Sequence, residues 1–538
     1  MAVCLATEPT GLSLQRLGEL AEQRNGADSR LVFEGRTWTG SELAARARRV
    51  STGFREIGLS AGERVVVCMA NCPEVGISYS AIWRAGGVTT PVVFLLSEDE
   101  LRHVFSDSEA ACVITTPEFL PKVAAAARDV PTVRGLVVVG DAPTSTGSVD
   151  AGRPVIPFAE LEDSDESDLT DTDPTELAAL LYTGGTTGRS KGVMLSHDAM
   201  STSAWAATAN SFESGVRRSL LPLPLSHAYG LLITTMGLHA PEPGTTVLQR
   251  WFTPGDWLTL AAQHQIQTGA VVPSMLQLLL QQPIEDHDLS HLRRLSSGGA
   301  PLSQEVAAAF RARVPQVEIA EGYGCTETAA LVASNPLGAV RPGSVGVAVP
   351  GVEIRIEPRT DGNGVDGNGD DGAEEGASAP AGVDGEICVR GKMLMQGYWR
   401  SPEETAKTLR GGWLHTGDIG HLDADGYLYV VDRIKDLIIR GGFNVYPRDV
   451  EDMLLGHRDV VAAAVVGRPD PTYGEEVIGF VQLKQGAGAT PLELVQFAKE
   501  HLAATKYPRE IHVVDQVPLT SVGKTDRKAL RSRIVAAP

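Results

Sequence analysis

Residues 180–197 read Leu-Leu-Tyr-Thr-Gly-Gly-Thr-Thr-Gly-Arg-Ser-Lys-Gly-Val-Met-Leu-Ser-His. Gly184, Gly185 and Gly188 permit positive φ and let backbone N–H groups turn toward one centre. Thr183, Thr186 and Thr187 add hydroxyl donors, while Arg189 and Lys191 add positive charge. Such a loop suits the oxygens of a polyphosphate. It is not a Walker A loop: Lys191 follows Ser190 and precedes Gly192, so the register fails. The bland alternative is a surface linker. The apolar run Leu177–Tyr182 just before it, which reads as a buried strand, argues against that.

Further along, Glu321-Gly-Tyr-Gly-Cys-Thr-Glu327 sets a carboxylate beside a tyrosine and two glycines. A carboxylate near a phosphate loop would repel ATP unless a hard divalent cation bridged them. Its bland reading is a solvated Glu at a helix start. Thr416-Gly-Asp418 offers an acceptor for paired hydroxyls, though an Asp in a turn is common. In Arg440-Gly-Gly-Phe443, Gly441 and Gly442 permit a close approach of backbone to a ligand. Pro518-Leu-Thr-Ser-Val-Gly-Lys524 ends in a lysine that, taken alone, would be solvated. Gly367–Gly372 formally matches a dinucleotide fingerprint, but Asp370 and Asp371 would repel a pyrophosphate, so we reject it.

In this order the segments resemble the adenylate-forming superfamily of acyl-CoA synthetases, luciferases and peptide synthetase adenylation domains. The likeness covers nearly the whole chain. The signature loop departs at one point, with Ser190 where proline is usual. Losing that ring should loosen the loop slightly.

The resemblance implies a nucleotide site made of Thr183, Gly184, Gly185, Thr186, Thr187, Gly188, Lys191, Gly299, Ala300, Pro301, Glu321 and Gly322. It has Tyr323 stack on adenine, Thr326 contact the α-phosphate region, and Asp418 and Arg433 bind the ribose. Glu327 would hold Mg2+, Lys524 would be the catalytic lysine, and Thr183 would share in catalysis. Lys435 falls at the hinge position. Together with Arg440, Gly441, Gly442 and Phe443 it would meet coenzyme A. His227 sits at the gate of the acyl tunnel, as a candidate acceptor for the thiol proton. Its bland reading is a hydrogen-bonded turn histidine. Ser274, Gly298, Gly299, Gly324 and Cys325 would line the acyl pocket. The form Gly-Gly-Phe-Asn-Val-Tyr-Pro most resembles bacterial fatty-acyl-CoA synthetases.

The elements that must position these groups alternate strand and helix. Thr39–Glu42 reads as a capping box before a helix; Glu63–Met69 is a strand, Asn71–Ala85 a helix and Val88–Val93 a strand. A helix from Ser97 and a strand at Ala110–Thr115 follow. Ser219–Gly230 reads as a strand ending in a Ser-His-Ala-Tyr turn, and Ile266–Val272, Leu295–Leu302 and Glu318–Glu327 as strand-led segments. This implies an α/β fold of mixed sheets flanked by helices. Residues 161–175 read as an acidic surface approach to the glycine-rich loop, and residues 358–384 as a low-complexity insert. Past Lys435 a small mobile α/β unit restarts, with a helix from Pro447, strands at Val460–Val466 and Val477–Leu483, and a helix at Pro491–Leu502. We place a large multi-subdomain unit at 1–433 and a small one at 434–538.

The chain has 538 residues, too many for one core. With 47 basic and 67 acidic residues it carries a net charge of −20, which argues against nucleic acid as a partner. Cys4, Cys68, Cys72, Cys112, Cys325 and Cys388 are scattered without a CxxC pair, so we expect reduced thiols and a cytoplasmic protein. No secretory signal and no transmembrane span is read.

The expected function is AMP-forming acyl-CoA synthesis from a hydrophobic carboxylic acid, ATP and coenzyme A, with Mg2+; a homodimer is allowed. The nearest alternative keeps the fold but performs one half-reaction or loads a carrier protein. A P-loop NTPase and a non-catalytic binding protein are the more distant rivals.

Overall fold

The computed structural model describes residues 11–140, 152–183, 189–358, 378–520 and 525–535. Short apolar runs rich in β-branched residues become strands, and the first large sheet is built around them. Arg64–Cys68, Val88–Pro91, Cys112–Thr115, Gly135–Val138 and Val155–Pro157 lie parallel, with Leu177–Thr183 parallel to Val88–Pro91. Lys191–Ser196 then returns antiparallel and sets Thr183 opposite Lys191. The glycine-rich loop is thus the connection of a hairpin whose first strand belongs to a parallel sheet. Gly184–Gly188 themselves lie outside the described residues.

A second, nine-stranded sheet carries Thr245–Leu248, Arg218–Leu221, Thr268–Val271, Arg294–Ser297 and Glu318–Tyr323 in that spatial order, all parallel. Their carboxyl ends lead into His227, Ser274, Gly298–Pro301 and Tyr323. Open α/β sheets bind ligands at that edge. Helices cover the sheets. Thr39 caps Gly40–Glu56 with its hydroxyl on the Glu42 N–H while the Glu42 carboxylate returns to the Thr39 N–H, the reciprocal capping box expected. Burial of Phe54, Tyr79, Val65, Leu181, Leu220, Trp257 and Leu295 joins both sheets in one core.

Three further segments frame the site. Val352–Pro358, Gly385–Gly391, Trp413–Leu422 and Leu428–Arg433 form an antiparallel sheet. Beyond it Ile438–Arg440, Phe443–Val445, Val460–Asp470, Gly474–Leu483 and Glu510–Val513 form a separate small sheet with its own buried cluster around Val465, Val477 and Leu494. The acidic approach lies against helix Gly40–Glu56, where Arg46 pairs with Glu162 and Arg49 donates to the Glu162 carbonyl at 3.0 Å.

Two expectations change. The strand expected over Ser219–Gly230 stops at Leu221, since Pro222 and Pro224 cannot donate to a ladder, and the Ser-His-Ala-Tyr segment opens a helix, Ala228–His239. The strand expected to end at Val466 runs to Asp470, because it pairs along its whole length with Gly474–Leu483. The low-complexity insert and its rejected fingerprint fall largely on residues 359–377, outside the described residues. Among the described residues no helix is long and apolar enough to cross a membrane. Cys68, Cys72, Cys112, Cys325 and Cys388 are free thiols, as expected; Cys4 lies outside the described residues.

Candidate active site

Asp418 is the best-defined acceptor. It sits opposite Arg433 across the strands Trp413–Leu422 and Leu428–Arg433. Arg433 Nε lies 3.0 Å from Asp418 Oδ1, and the Tyr323 hydroxyl donates to Asp418 Oδ2 at 2.7 Å. The three residues assigned to adenine and ribose therefore meet in one cluster, with the Asp418 side chain only 8% exposed. Asp418 keeps Arg433 firmly protonated, and burial pushes the Tyr323 phenol up. The turn before Asp418 is pinned. Thr416 Oγ1 donates to the Ile387 carbonyl at 2.7 Å, and the Gly417 N–H donates to Glu386 Oε1 at 3.0 Å.

Glu327 lies in a 3-10 turn, Thr326–Thr328. The Tyr398 hydroxyl donates to its Oε1 at 2.9 Å, and the Met395 N–H donates to its carbonyl at 2.8 Å. Ala329 and Ala330 follow at φ 48° and 92°, a strained backbone for residues with a Cβ. Gly324 relieves that crowding: a Cβ there would stand 1.9 Å from the Ala330 carbonyl oxygen.

Lys191 Nζ lies 2.6 Å from Glu404 Oε2 and 5.4 Å from the centre of the Tyr398 ring. Lys191 and Lys407 hold the Glu404 carboxyl down to about 2. Tyr398 thus stands between the loop lysine and Glu327. The loop is fastened at its far end as well. His103 Nε2 lies 2.9 Å from the Ser190 carbonyl oxygen, and the Trp399 N–H donates to the Gly192 carbonyl at 2.7 Å.

Glu321 is buried within the strand Glu318–Tyr323, and desolvation raises its carboxyl to about 7. Gly322 lies against Leu331 and Ala333; Gly299, Ala300 and Pro301 form the turn after Arg294–Ser297, with Gly299 at φ 81°. His227 caps helix Ala228–His239, its Nδ1 accepting the Tyr229 N–H at 3.2 Å. Tyr229 donates to the Ser296 carbonyl at 3.1 Å, and its ring faces Gly298. Ser274 is half-buried at the start of helix Pro273–Leu280, and half-buried Cys325 packs against Thr328. An apolar cavity between the His227 helix and the Glu327 turn is lined by Leu181, Met200, Ala228, Leu232, Thr235 and Ala329.

The proposed coenzyme A residues lie apart from this cluster. Arg440 is buried and makes a bidentate pair with Glu476 at 2.6 and 3.0 Å. Its side chain therefore anchors the hairpin. Gly441 and Gly442 turn the tip at φ 58° and 83°, and Phe443 is 59% exposed. Lys435 is exposed in the turn Ile434–Asp436; its surroundings and the Arg433 charge push its ammonium down. Lys524 and Gly184–Gly188 lie outside the described residues. Sequence reasoning missed Tyr398, Glu404, Glu386, Tyr229 and His103. Only the regular spacing of Gly397-Tyr-Trp-Arg-Ser-Pro-Glu-Glu404 just after a strand could have drawn attention to the first two.

A buried Tyr323–Asp418–Arg433 cluster, a carboxylate at Glu327 near Lys191 and a separate small C-terminal unit stand together in this fold. The chain belongs to the AMP-binding enzymes. That family's model matches residues 19–399, and the model of the AMP-binding enzyme C-terminal domain matches 449–524. Within that family it is an enzyme of the adenylate-forming, acid–thiol ligase class. It is 34% identical to a feruloyl-CoA synthase of Amycolatopsis sp over 505 residues, covering 93% of this chain and 94% of that one. It is 33% identical to the long-chain-fatty-acid–CoA ligase of Bacillus subtilis over 524 residues, covering 93% and 90%. The structure of the amide bond synthetase McbA from Marinactinospora thermotolerans superposes with a TM-score of 0.83 at 30% identity, covering 97% and 99%.

Proposed function

We propose that the chain joins a hydrophobic carboxylic acid to coenzyme A through an acyl-adenylate, with release of AMP and pyrophosphate. The observation that carries this reading is the Tyr323–Asp418–Arg433 cluster beside Glu327. It offers a ribose acceptor next to a carboxylate suited to a metal-bound phosphate.

In the first step the substrate carboxylate attacks the α-phosphorus of ATP in line, and pyrophosphate leaves. Asp418 accepts from the ribose hydroxyls while Arg433 and Tyr323 hold it in place. Lys191 moves from Glu404 to a phosphate oxygen, and Lys524 offsets charge between the carboxylate and the α-phosphate. Glu327, a single carboxylate with one oxygen held by Tyr398, fits Mg2+, which takes one or two carboxylates plus substrate phosphates and supplies charge neutralisation there. In the second step the small unit turns about Lys435, the Gly441–Gly442 tip approaches, and the thiol attacks the acyl carbonyl as AMP departs. His227 stands at the gate as the candidate acceptor of the thiol proton. The side chains beside it are apolar and suit a hydrophobic acyl group, although the gap between them holds only about 10 Å³ and must open to admit one. The relatives' names span aryl and fatty acids, and both remain substrates to screen.

The likeness to an amide bond synthetase favours a second reading, in which an amine takes the acyl group in place of the thiol. One assay separates the cases. The protein is given ATP, Mg2+, a panel of aryl and fatty acids, and coenzyme A or an amine; pyrophosphate exchange reports the first step, and thioester or amide the second. Acid-dependent exchange, thioester formation and loss of exchange by at least about 100-fold in Lys524→Ala are expected. Thioester formed from supplied acyl-adenylate without exchange on any acid would leave only the second half-reaction. Unchanged activity in Lys524→Ala would remove the lysine from the mechanism.

A further inference from the structure

A second cluster stands on the sheet behind Asp418 and is used by neither step. Glu357 faces Glu386 across strands Val352–Pro358 and Gly385–Gly391, and Cys388 faces His415 across Gly385–Gly391 and Trp413–Leu422. Glu386 and Cys388 are two residues apart on one strand and so share a face. The two cross-strand pairs are therefore stacked side by side.

The distances are short and mutual. His415 Nδ1 lies 3.2 Å from Glu357 Oε2, 3.1 Å from Glu386 Oε2 and 3.4 Å from Cys388 Sγ. Cys388 Sγ lies 3.6 Å from Glu357 Oε2. All four ligand atoms lie within 4.8 Å of one another. Metal–ligand bonds of ~2.0–2.2 Å to nitrogen and oxygen and ~2.3 Å to sulfur imply tetrahedral edges of ~3.3–3.6 Å. Of the four short contacts, 3.4 and 3.6 Å fall in that range and 3.1 and 3.2 Å lie just below it, while the remaining two pairs are within 4.8 Å. Cys388 is buried, and the side chains of His415 and Glu386 are 7% and 17% exposed, so the site is closed except beside Glu357 at 36%. The ion-pair contacts to this group from Arg355 and Arg410 are each 3.8 Å long, to Glu357 and Glu386.

We propose that Glu357, Glu386, Cys388 and His415 bind one transition-metal dication of the Zn2+ type. A thiolate and an imidazole beside two carboxylates favour Zn2+ or Co2+ over Mg2+. His415 coordinates through Nδ1 with its proton on Nε2. The Cys388 thiol gives its proton to solvent as sulfur takes the metal. The consequence reaches the nucleotide site: Glu386 Oε1 accepts the Gly417 N–H, one residue from Asp418. The metal holds Glu386, and Glu386 is a positioning residue for the ribose acceptor.

The test uses the full chain, stripped with a chelator, dialysed and titrated with Zn2+ or Co2+ alone. About one equivalent is expected to be retained, with a thiolate-to-cobalt charge-transfer absorption that Zn2+ displaces. Cys388→Ser should abolish the band, and His415→Ala should weaken Co2+ binding at least about tenfold. Glu327→Gln and Cys325→Ser should leave the band unchanged, which separates this site from the nucleotide pocket. If Cys388→Ser does not fold, the band in the unaltered protein decides. No retained metal, metal without the band, or a band that survives Cys388→Ser overturns the proposal and leaves a hydrogen-bonded cluster.

Discussion

Single residues in this site are held by neighbours that restrict their charge. Glu321 is the clearest case: burial, outweighing the nearby Arg448 charge and the Leu302 N–H, raises its carboxyl from an ordinary 4.5 to about 7. The folded chain then binds this proton more tightly than the unfolded one. Stability from this group is full below pH 4.5 and is lost as pH rises through about 7. Glu321→Gln cannot titrate, so its free energy of unfolding should fall less between pH 5 and pH 8 than that of the parent, by about 3 kcal/mol at most. Parallel curves for the two proteins would show that Glu321 does not carry this proton. The cationic side of the site is organised likewise. Lys191 rests on Glu404 and Tyr398 where a phosphate is proposed to bind.

At the scale of elements, the site depends on turns at the carboxyl ends of parallel strands. The turn after Glu318–Tyr323 is the tightest, with Ala329 and Ala330 in the left-handed region and Gly324 beneath them. Gly324→Ala must push the Glu327 turn outward, since its Cβ would meet the Ala330 carbonyl at 1.9 Å. Displacement of about 1 Å at a reacting centre costs roughly 100-fold, so pyrophosphate exchange should fall by that order while the fold survives. Exchange within about twofold of the parent would mean that the turn does not position Glu327. Much of this level was legible beforehand. The capping box at Thr39 and the strands at Arg64–Cys68 and Cys112–Thr115 follow from local pattern. Glu321–Glu327 and Thr416–Asp418 stood out as motifs, and the fold brings Tyr323 onto Asp418. Tyr398, Glu404 and Glu386 did not stand out, because their meaning lies in contacts between distant segments. The Cys388 cluster escaped for a related reason. A search for paired cysteines cannot see ligands that alternate along one strand and face residues on two others.

For the whole molecule, the exposed tip at Gly441–Phe443 and the Tyr323–Asp418–Arg433 cluster lie on different sheets joined through Arg433–Leu437. The two-step reading therefore requires that joint to turn. Lys435→Pro fixes φ near −65° at the proposed hinge and restricts Ile434 as well. Pyrophosphate exchange should stay within about threefold while thioester formation drops at least about tenfold. Equal loss of both, or of neither, would place the pivot elsewhere.

The bond between His103 and the Ser190 carbonyl has a further consequence. A proline at position 190 would stiffen the loop through its own ring; here a residue 87 positions away in the sequence supplies a restraint. The restraint on Ser190 is therefore carried by helix Glu98–Asp107. Substitution drift in that helix can release Ser190 without altering a single letter of the motif. A reader who compares only the motif between relatives would credit the wrong segment with the change.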